Sequence, residues 1–465
     1  MSLEPGRLLS IVRCAALLAA CAVAGCAHVP VIDEAALSAN PAAIQVYGAR
    51  GPLSARQSKA ILDRLESEAP DAGALERHIA IEQAVAETPL VAGNKVKILR
   101  DGAETFPAMF EAIRRARRYV YLEYYIFEDV SSDGQDLADL LIDRSHEGVR
   151  IAILYDGIGS IGTPNALFDR LREAGIQVVQ FNPPNPFASL RRFSLNARDH
   201  RKMLIADGQL VILGGVNLSS SYQSRPSSAS EADTGKPHEL WRDTDLSISG
   251  PVVKQFERLF RQHWLEQDGH ALGEEDPPVE GDGNEVVRIL GSAPKRLVSR
   301  YYVTVLSAIR TAETSVWITA AYFVPTHQEK EALIKAAKRG VDVRLLLPSH
   351  SDSSAALQVQ HSHYSDLLEA GVRIYERDSD VLHSKTIVVD HVWSMVGSSN
   401  FDHRSVLFND EVDAIVIGQE TGSELSRLFE TDVSSAHPID LATWKRRPAS
   451  TKFREQFWRL WEKLL

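Results

Sequence analysis

The chain has 465 residues, of which 44% are hydrophobic and 24% are charged. This composition supports a large buried core divided over two or three domains, and it excludes a disordered chain, a collagen and a polytopic membrane protein. The net charge of −11 repels a polyanion at long range, so nucleic acid is a disfavoured partner unless a groove is locally basic.

The N-terminal segment has the pattern of a secretory signal. Arg7 and Arg13 precede an apolar run at 14–25, which is too short for a stable membrane-spanning helix. The run ends in Val-Ala-Gly-Cys at 23–26, which resembles the lipobox of bacterial lipoproteins. We therefore expect an exported protein that is lipid-anchored through Cys26 at the extracytoplasmic membrane surface, the outer membrane if the host has two. An ordinary cleaved signal and an uncleaved anchor are the alternatives, and both would still export the chain.

Composition and internal similarity divide the rest of the chain. A stretch rich in Ala, Glu and Arg precedes two similar regions, which an acidic Gly- and Pro-rich segment separates. The C-terminal tail has apolar residues at helical spacing with Lys and Arg opposite, which fits either an interfacial helix or a helix docked on the core. The predicted parts are a signal peptide (1–25), a helical arm (26–93), a first domain (94–266), a linker (267–283), a second domain (284–435) and a basic amphipathic tail (436–465).

The two predicted domains repeat the same elements in the same order. A helix pattern at 106–117 leads into a strand pattern at 119–127, and the second copy has the corresponding patterns at 303–311 and 315–323. Later strands rich in Val, Ile and Leu follow a glycine that closes the preceding helix. This alternation predicts the α/β class, with parallel or mixed sheets covered by helices on both faces and one sheet in each copy.

Each copy also contains the string His-x-Lys-x4-Asp followed by Gly-(Gly/Ser)-x-Asn. One such string is a weak signal, but two strings at matching places of a repeat are not a chance occurrence. The residues singled out are His200, Lys202, Asp207, Gly215 and Asn217 in the first copy and His383, Lys385, Asp390, Ser398 and Asn400 in the second.

The spacing of these residues has a physical interpretation. Positions i and i+2 on a strand share a face, so each His is expected beside its Lys, while the residue between them points away. The glycine allows close backbone approach, and the Asn brings an amide donor. Asp207 and Asp390 fall on the opposite face from the Lys, so we expect a structural role for them. If the copies pack with these strand ends together, two imidazoles, two ammonium groups and two amides form a cage for a tetrahedral oxyanion.

Two polar segments of the first copy are expected to rim the mouth of this cage. One is an insertion around 183–199, which carries Arg198 and two further arginines, and the other is the loop at 219–237.

These residues resemble the paired HxKxxxxD motifs of the phospholipase D superfamily, which come from two halves and form one active site. The resemblance covers about residues 94–420. Within it, the segments 123–127, 241–243 and 322–325 are similar to the cardiolipin synthase branch, and the tail from Arg446 is similar to that of its C-type members. The resemblance implies two duplicated phospholipase D-like α/β/α sandwich domains with a shared site at their interface.

The resemblance also implies a role for each motif residue. His200 would attack the phosphodiester to form a phosphohistidine, while His383 would protonate the leaving alkoxide and then deprotonate the acceptor; the reverse assignment stays open. Lys202 and Lys385, with Asn217 and Asn400, would bind the non-bridging oxygens and neutralise the charge of the transition state, so neither a metal nor a cofactor is required.

Two acidic residues are expected to orient the histidines. A nucleophilic imidazole needs an acceptor at its far nitrogen, so that the near nitrogen carries the lone pair. Aligning Gly250 with Gly418 sets Asp243 opposite Glu411, and in the family the residue at the second of these positions orients the His. We expect both acids to do so.

The function implied by the resemblance is a phosphatidyltransferase that forms cardiolipin from phosphatidylglycerol and a second phospholipid. A phospholipase D that hydrolyses phospholipids to phosphatidic acid would use the same residues with water as the acceptor. A nuclease-type phosphodiesterase and an inactive membrane scaffold are weaker alternatives, because the chain is acidic and both motifs are intact. The expected partners are a phospholipid membrane, phosphatidylglycerol and phosphatidylethanolamine, and no oligomer is required for the active site because one chain carries both motifs.

Overall fold

The computed structural model describes residues 29–32, 44–68, 75–86, 88–183, 196–223, 241–274, 279–293 and 299–464. The described N-terminal part forms a short hairpin and two helices. Its elements are β1 (Val46–Gly48), β2 (Gly51–Pro52), α1 (Ala55–Glu68) and α2 (Leu75–Ala86). Throughout the described residues, no helix is long and apolar enough to cross a bilayer.

The first half of the repeat contains eleven of the 22 described strands. They are β3 (Leu90–Arg100), β4 (Tyr119–Tyr124), β5 (Ser131–Ser132), β6 (Gln135–Asp136), β7 (Arg150–Asp156), β8 (Gln177–Phe181), β9 (Arg198–Asp199), β10 (Lys202–Ala206), β11 (Leu210–Gly214), β12 (Trp241–Arg242) and β13 (Thr244–Ser249). Its helices are α3 (Asp101–Arg115), α4 (Leu137–His146), α5 (Asn165–Glu173) and α6 (Val253–Glu266).

The second half repeats this arrangement and is followed by the C-terminal helices. Its strands are β14 (Glu285–Ser292), β15 (Ser315–Thr319), β16 (Asp342–Pro348), β17 (Arg373–Arg377), β18 (Val381–Leu382), β19 (Thr386–Val389), β20 (Trp393–Gly397) and β21 (Asn409–Ile417), with β22 (His437–Pro438) in the tail. The helices are α7 (Arg300–Thr311), α8 (His327–Lys338), α9 (Ser354–Glu369), α10 (His403–Leu407), α11 (Gln419–Ser434), α12 (Leu441–Lys445) and α13 (Ala449–Arg459).

The main strands of each half form a mixed sheet with the same strand order. The order is β8-β7-β4-β10-β11-β13-β3 in the first half and β17-β16-β15-β19-β20-β21-β14 in the second. In both, the first three strands are parallel and the remaining pairs are antiparallel. The predicted α/β class and the duplication are therefore confirmed.

The two sheets are not separate, as the repeat suggested, but join into one. Their edge strands β3 and β14 pair antiparallel, with Asn94 opposite Glu285. Pairing removes two exposed edges that would otherwise leave backbone donors and acceptors without partners. The two halves of the repeat consequently share a continuous backbone hydrogen-bond network.

Helices cover both faces of this sheet. Along β4, Val120 and Leu122 pack in the cluster with α3, α4 and α5, whereas Tyr119 and Tyr121 pack in the cluster with α6. The second half follows the same alternation, with α7, α8 and α9 on one face and α11 on the other. A period of two along the strands accounts for this division.

Two predicted strands are shorter than their sequence pattern. The strand predicted at 119–127 ends at Tyr124, and the one predicted at 315–323 ends at Thr319. In each half the chain leaves the sheet at this point, so that Tyr125 and Tyr322 line a cavity instead of continuing the ladder. The apolar pattern continues beyond the strand because these residues are packed at the cavity wall.

Candidate active site

Both motif histidines line one cavity at the junction of the two halves. Its volume is about 500 Å³. His200 and Asn217 come from the first half, and His383 and Asn400 come from the second. The other wall residues are Tyr125, Ile126, Ile158, Arg198, Tyr222, Trp241, Tyr322, Val324, Asp352, Ser353, Ala356, Asp402, Arg404 and Asn409. A ligand in this cavity therefore contacts residues of both copies of the repeat.

Short strand pairs between the halves bring the histidines together. Strand β9 pairs parallel with β21, and β12 pairs parallel with β18. The backbone N–H of His200 donates to the carbonyl of Asp410 at 2.9 Å, and that of His383 donates to the carbonyl of Arg242 at 2.8 Å. Each histidine is thus hydrogen-bonded through its backbone to the residue that precedes an acid of the opposite half.

This crossing places each predicted acid beside the histidine of the other half. The Nδ1 atom of His200 lies 3.0 Å from Oε2 of Glu411, and Nδ1 of His383 lies 2.7 Å from Oδ2 of Asp243. Both acids are fully buried. Because Nδ1 of each ring is engaged by a carboxylate, Nε2 is the nitrogen left for a ligand, and Nε2 of His383 also lies 3.2 Å from Nζ of Lys385.

The two acids have different electrostatic environments. Burial raises the pKa of Glu411, but the interactions with His200, Lys202 and Ser398 together outweigh it and lower the pKa to about 2, so this carboxylate is ionised. Burial raises the pKa of Asp243 to about 6 against the opposing charge of Lys385. Glu411 is therefore the stronger electrostatic partner for its histidine at acidic pH.

The two lysines lie beneath the cavity wall instead of lining it. Lys202 Nζ donates to the carbonyl of His200 at 2.6 Å, and Lys385 Nζ lies 2.9 Å from Nδ1 of His383. Burial lowers the pKa of Lys202 to about 7 and also lowers the pKa of Lys385. The ammonium groups are thus held in a site that favours neutralisation unless an anion binds.

The histidines share this cationic environment. Burial lowers the pKa of His383 well below its ordinary value, and the charges of Lys385 and Lys202 lower it further. Burial also lowers the pKa of His200, in opposition to the carboxylate of Glu411. Since the lysines of both halves act on His383, the four basic side chains belong to one electrostatic unit.

After the motif strands, Gly215 and Ser398 support the acids, whereas Asn217 and Asn400 line the cavity. A Cβ on Gly215 would clash with Oδ1 of Asp243, so only glycine leaves room for that carboxylate. At the equivalent position, the hydroxyl of Ser398 donates to Oε2 of Glu411 at 2.5 Å. The amide of Asn217 donates to the hydroxyl of Tyr222 at 3.2 Å, whereas the side-chain oxygen of Asn400 is buried without a hydrogen-bond partner.

Asp207 and Asp390 lie outside the cavity, at the far ends of their strands. Asp207 accepts hydrogen bonds from the backbone N–H groups of Arg117, Arg118 and Tyr119 at 2.8–2.9 Å. Asp390 does the same for residues 313–315 before β15. These contacts anchor the start of the neighbouring strand, and they fit the structural role expected from the spacing.

Sequence reasoning did not single out Tyr222. Its hydroxyl lies 3.0 Å from Nδ1 of His383, and it is fully buried. The only signal was its place in the polar loop expected to rim the mouth. Arg198 of the other expected rim segment also lines the cavity, while residues 184–195 and 224–237 of the two segments lie outside the described residues.

A second buried polar group adjoins the His200 segment without lining the cavity. Arg201, the residue between His200 and Lys202, contacts Glu123 at 3.1 Å, and His263 Nδ1 lies 2.6 Å from the same carboxylate. Among the described residues, Glu123, Asp199 and His263 form the one group with metal-ligand geometry. The contacts of Glu123 with Arg201 and His263 already supply it with charge-assisted partners.

Known proteins are similar to this chain over most of its length. Residues 109–264 and 305–433 match the model of the family described as cardiolipin synthase, PLD-like domain. The cardiolipin synthase of Geobacillus kaustophilus (strain HTA426) is 34% identical over 388 residues, which cover 82% of this chain and 74% of that protein. Cardiolipin synthase A of Pseudomonas syringae pv. syringae (strain B728a) is 34% identical over 358 residues, which cover 76% and 71%.

The chain belongs to the cardiolipin synthase family of phospholipase D-like proteins. The predicted superfamily and enzyme class are therefore confirmed. The crystal structure of phosphatidylserine synthase from Haemophilus influenzae Rd KW20 has the same fold. It superposes with a TM-score of 0.61 at 12% identity and covers 83% of this chain and 99% of that one.

The localisation predicted from the N-terminus is wrong. The curated relatives are cardiolipin synthases, a class that is typically found at the inner membrane or on its cytoplasmic side, and this overturns an exported protein anchored at the outer surface. An apolar run before a cysteine is weak evidence by itself, because targeting segments and anchors share that composition. Cys26 and the predicted signal peptide lie outside the described residues.

Proposed function

We propose that the cavity catalyses phosphatidyl transfer through a phosphohistidine on His200. Family membership supports a phosphatidyltransferase that forms cardiolipin. The single observation that carries the mechanism is that both histidines line one cavity, each with Nδ1 bound by an acid of the opposite half. This arrangement supplies one nucleophile and one acid/base on opposite sides of a phosphorus atom.

In the first step, Nε2 of His200 attacks the phosphorus of a donor phospholipid. The N–P bond forms as the bond between phosphorus and the headgroup oxygen breaks, and His383 donates its Nε2 proton to that oxygen. The phosphodiester is an anion, so its binding favours the protonated form of His383 that this step needs. With phosphatidylglycerol as the donor, glycerol leaves; with phosphatidylethanolamine, ethanolamine leaves.

In the second step, His383 accepts the proton of a glycerol hydroxyl on a phosphatidylglycerol molecule. The oxygen attacks phosphorus, the N–P bond breaks, and cardiolipin is released with His200 regenerated. Lys202 and Lys385, with the amides of Asn217 and Asn400, stabilise the charge on the non-bridging oxygens in both steps. Glu411 and Asp243 hold the rings with Nε2 towards the substrate.

The product test separates transfer from hydrolysis. Purified protein is incubated with phosphatidylglycerol vesicles, and cardiolipin, glycerol and phosphatidic acid are quantified by chromatography. We expect cardiolipin and glycerol in equal amounts. Phosphatidic acid as the main product would identify a hydrolase, which is the alternative because water and a lipid hydroxyl compete for the same intermediate.

A leaving group that needs no proton separates the roles of the histidines. With a p-nitrophenyl phosphodiester, H383A is expected to retain the release of p-nitrophenol in the first turnover, because nitrophenolate leaves without an acid. H200A is expected to lose it, and mass analysis should find the phosphorylated peptide only when His200 is present. The exposed His437 provides the control variant H437A, which should match the wild type. The opposite pattern for H200A and H383A would exchange the two roles.

A further inference from the structure

Four of the exposed hydrophobic side chains lie on segments next to the cavity wall. Among the described residues, six large hydrophobic side chains are exposed. Four of them, Ile161, Phe453, Phe457 and Leu460, are at least 48% exposed and belong to segments that adjoin the cavity wall. The other two, Val31 and Leu265, lie on segments with no residue in the wall and no hydrophobic side chain, among those described, packed against the wall residues Val324 and Ala356.

One of these segments belongs to the first half of the repeat. Ile158 lines the cavity, and the backbone N–H of Ile161 donates to its carbonyl at 3.1 Å. Ile161 thus occupies the same turn, three residues further along, and its side chain is 70% exposed.

The other segment is helix α13 of the tail. Its Trp458 packs against Val324 and Ala356, which both line the cavity, so the helix is docked beside the mouth. Phe453, Phe457 and Leu460 are spaced by four and three residues and form an exposed apolar row. One side of the tail helix therefore docks on the protein, and another side remains uncovered.

The charge of the tail is opposite to that of the whole chain. Residues 441–465 contain seven lysines and arginines and two glutamates, whereas the chain has a net charge of −11. Lys452, Arg454 and Lys463 are exposed on either side of the apolar row. An apolar row flanked by cations fits a surface that presents acyl chains below a layer of negative headgroups.

We infer that Ile161, Phe453, Phe457 and Leu460 form a docking surface for an anionic phospholipid bilayer, which holds the mouth of the cavity against the lipid. This bilayer-docking surface rests on the proposed function in one respect, because a bilayer of phosphatidylglycerol is also the substrate. Placing apolar contacts on both halves of the repeat at one mouth allows a lipid headgroup to enter the cavity while its acyl chains stay in the bilayer.

A site-specific label tests the surface without relying on catalysis. The three cysteines of the chain, at positions 14, 21 and 26, are replaced by serine, and a polarity-sensitive fluorophore is attached to I161C, F457C or the control L265C of the full chain. Vesicles of phosphatidylglycerol and phosphatidylcholine should shift the emission of the first two labels to the blue and leave the third unchanged. Pure phosphatidylcholine vesicles should produce a weaker shift.

Two results of the label experiment would overturn the inference. In the first, the protein sediments with the vesicles but the labels at positions 161 and 457 keep their emission. The protein would then bind the vesicles through another face. The other is an equal response of the label at position 265. Equal shifts with neutral and anionic vesicles would overturn the preference for anionic lipid.

A kinetic experiment connects the surface to turnover. In F453S/F457S/L460S, we expect the half-saturating concentration of vesicle phosphatidylglycerol to rise about tenfold or more, with turnover of a water-soluble short-chain phosphatidylglycerol unchanged. The matched variant V31S/L265S removes equally exposed apolar side chains and should behave as the wild type. Equal vesicle kinetics for the two variants would contradict the inference. If the wild type turns over neither lipid, the proposed function fails, while the label experiment still decides the docking surface.

Discussion

At the scale of single residues, burial makes the positive charge of the site easier to lose and an anion in the cavity stabilises it. Burial lowers the pKa of both lysines and both histidines, so removing these groups from water has a cost that no ligand offsets in the empty cavity. A bound phosphodiester offsets this cost, because its negative charge stabilises the protonated lysines and histidines. The free energy of binding is then directed at the phosphate, where charge accumulates during the reaction.

The pKa of Lys202 leads to a prediction for the pH dependence. With a pKa of about 7, the ammonium of the free enzyme is lost as the pH rises above 7, and the site for the phosphodiester weakens. We expect kcat/KM for phosphatidylglycerol to fall above pH 7, approaching about tenfold per pH unit. K202R keeps its charge and should move this fall to higher pH, while the exposed-site control K338R should not change the profile. A wild-type profile that stays flat to pH 9 would contradict the assignment.

At the scale of elements, the ends of the motif strands fit the acids that follow them in the sheet. Strand β11 ends at Gly214 opposite Asp245, and β20 ends at Gly397 opposite Asp413, so the next residue of each segment meets the acid. Glycine at position 215 faces the shorter acid, and serine at position 398 donates to the longer one. The second residue of each Gly-(Gly/Ser) pair therefore positions a carboxylate. It acts on the phosphate only through the histidine that this carboxylate orients.

Substitutions at this step should have unequal effects. In G215A, the new methyl group would occupy the place of the Asp243 carboxylate, so His383 loses its orienting partner and kcat/KM should fall by about 10²-fold or more. S398A removes one hydrogen bond to Glu411 without a clash and should cost about tenfold. Steady-state kinetics with thermal unfolding of both variants measures this. A G215A enzyme as active as S398A would show that the backbone relaxes freely.

The motif aspartates should affect stability more than chemistry. D207A leaves three backbone N–H groups before β4 without their acceptor, and we expect the free energy of unfolding to fall by about 1–3 kcal/mol. The kcat of the folded fraction at low temperature should remain within about twofold of the wild type, because Asp207 is outside the cavity. Urea unfolding and active-site-normalised kinetics measure the two quantities. A large loss of kcat with normal stability would instead place Asp207 in the chemistry.

At the scale of the whole molecule, paired strands join the two halves of the repeat, including beside the motif histidines. The sheet is continuous through β3 and β14, and the pairs β9–β21 and β12–β18 cross between the halves beside the histidines. Buried ion pairs reinforce the crossing, since Nη2 of Arg242 contacts Oδ2 of Asp432 at 2.7 Å. Separation of the halves would therefore remove the acid partner of each histidine.

Asp432 provides the test of this connection. D432A leaves the buried guanidinium of Arg242 without its main partner, so we expect a loss of about 3–5 kcal/mol in stability and a fall in activity as β12 shifts. The matched control is D282A, because Asp282 pairs with Lys95 at 2.8 Å in solvent and should hardly matter. Chemical denaturation followed by fluorescence and by activity should show coincident transitions. A D432A protein as stable as D282A would contradict the proposed importance of this contact.

The sequence alone determined the fold class, the repeat and the motif residues. Strands with apolar residues on both faces and helices closed by glycine are local patterns, and a duplicated His-x-Lys-x4-Asp string is specific because it recurs at matching places. The alignment of Asp243 with Glu411 was also possible from the sequence, because the glycine after each strand fixes the register. The localisation was wrong because a short apolar segment with a cysteine carries little information.

Only the tertiary structure decided which acid serves which histidine. Asp243 and His383, like Glu411 and His200, are far apart in the chain, and their contact depends on the parallel pairing of two short strands between the halves. The same is true of Tyr222 at His383 and of the exposed apolar row beside the cavity, since neither has a local pattern that distinguishes it. Local physics selects each element from its own residues, but a site assembled across two halves depends on how their edges pair, which no single segment encodes.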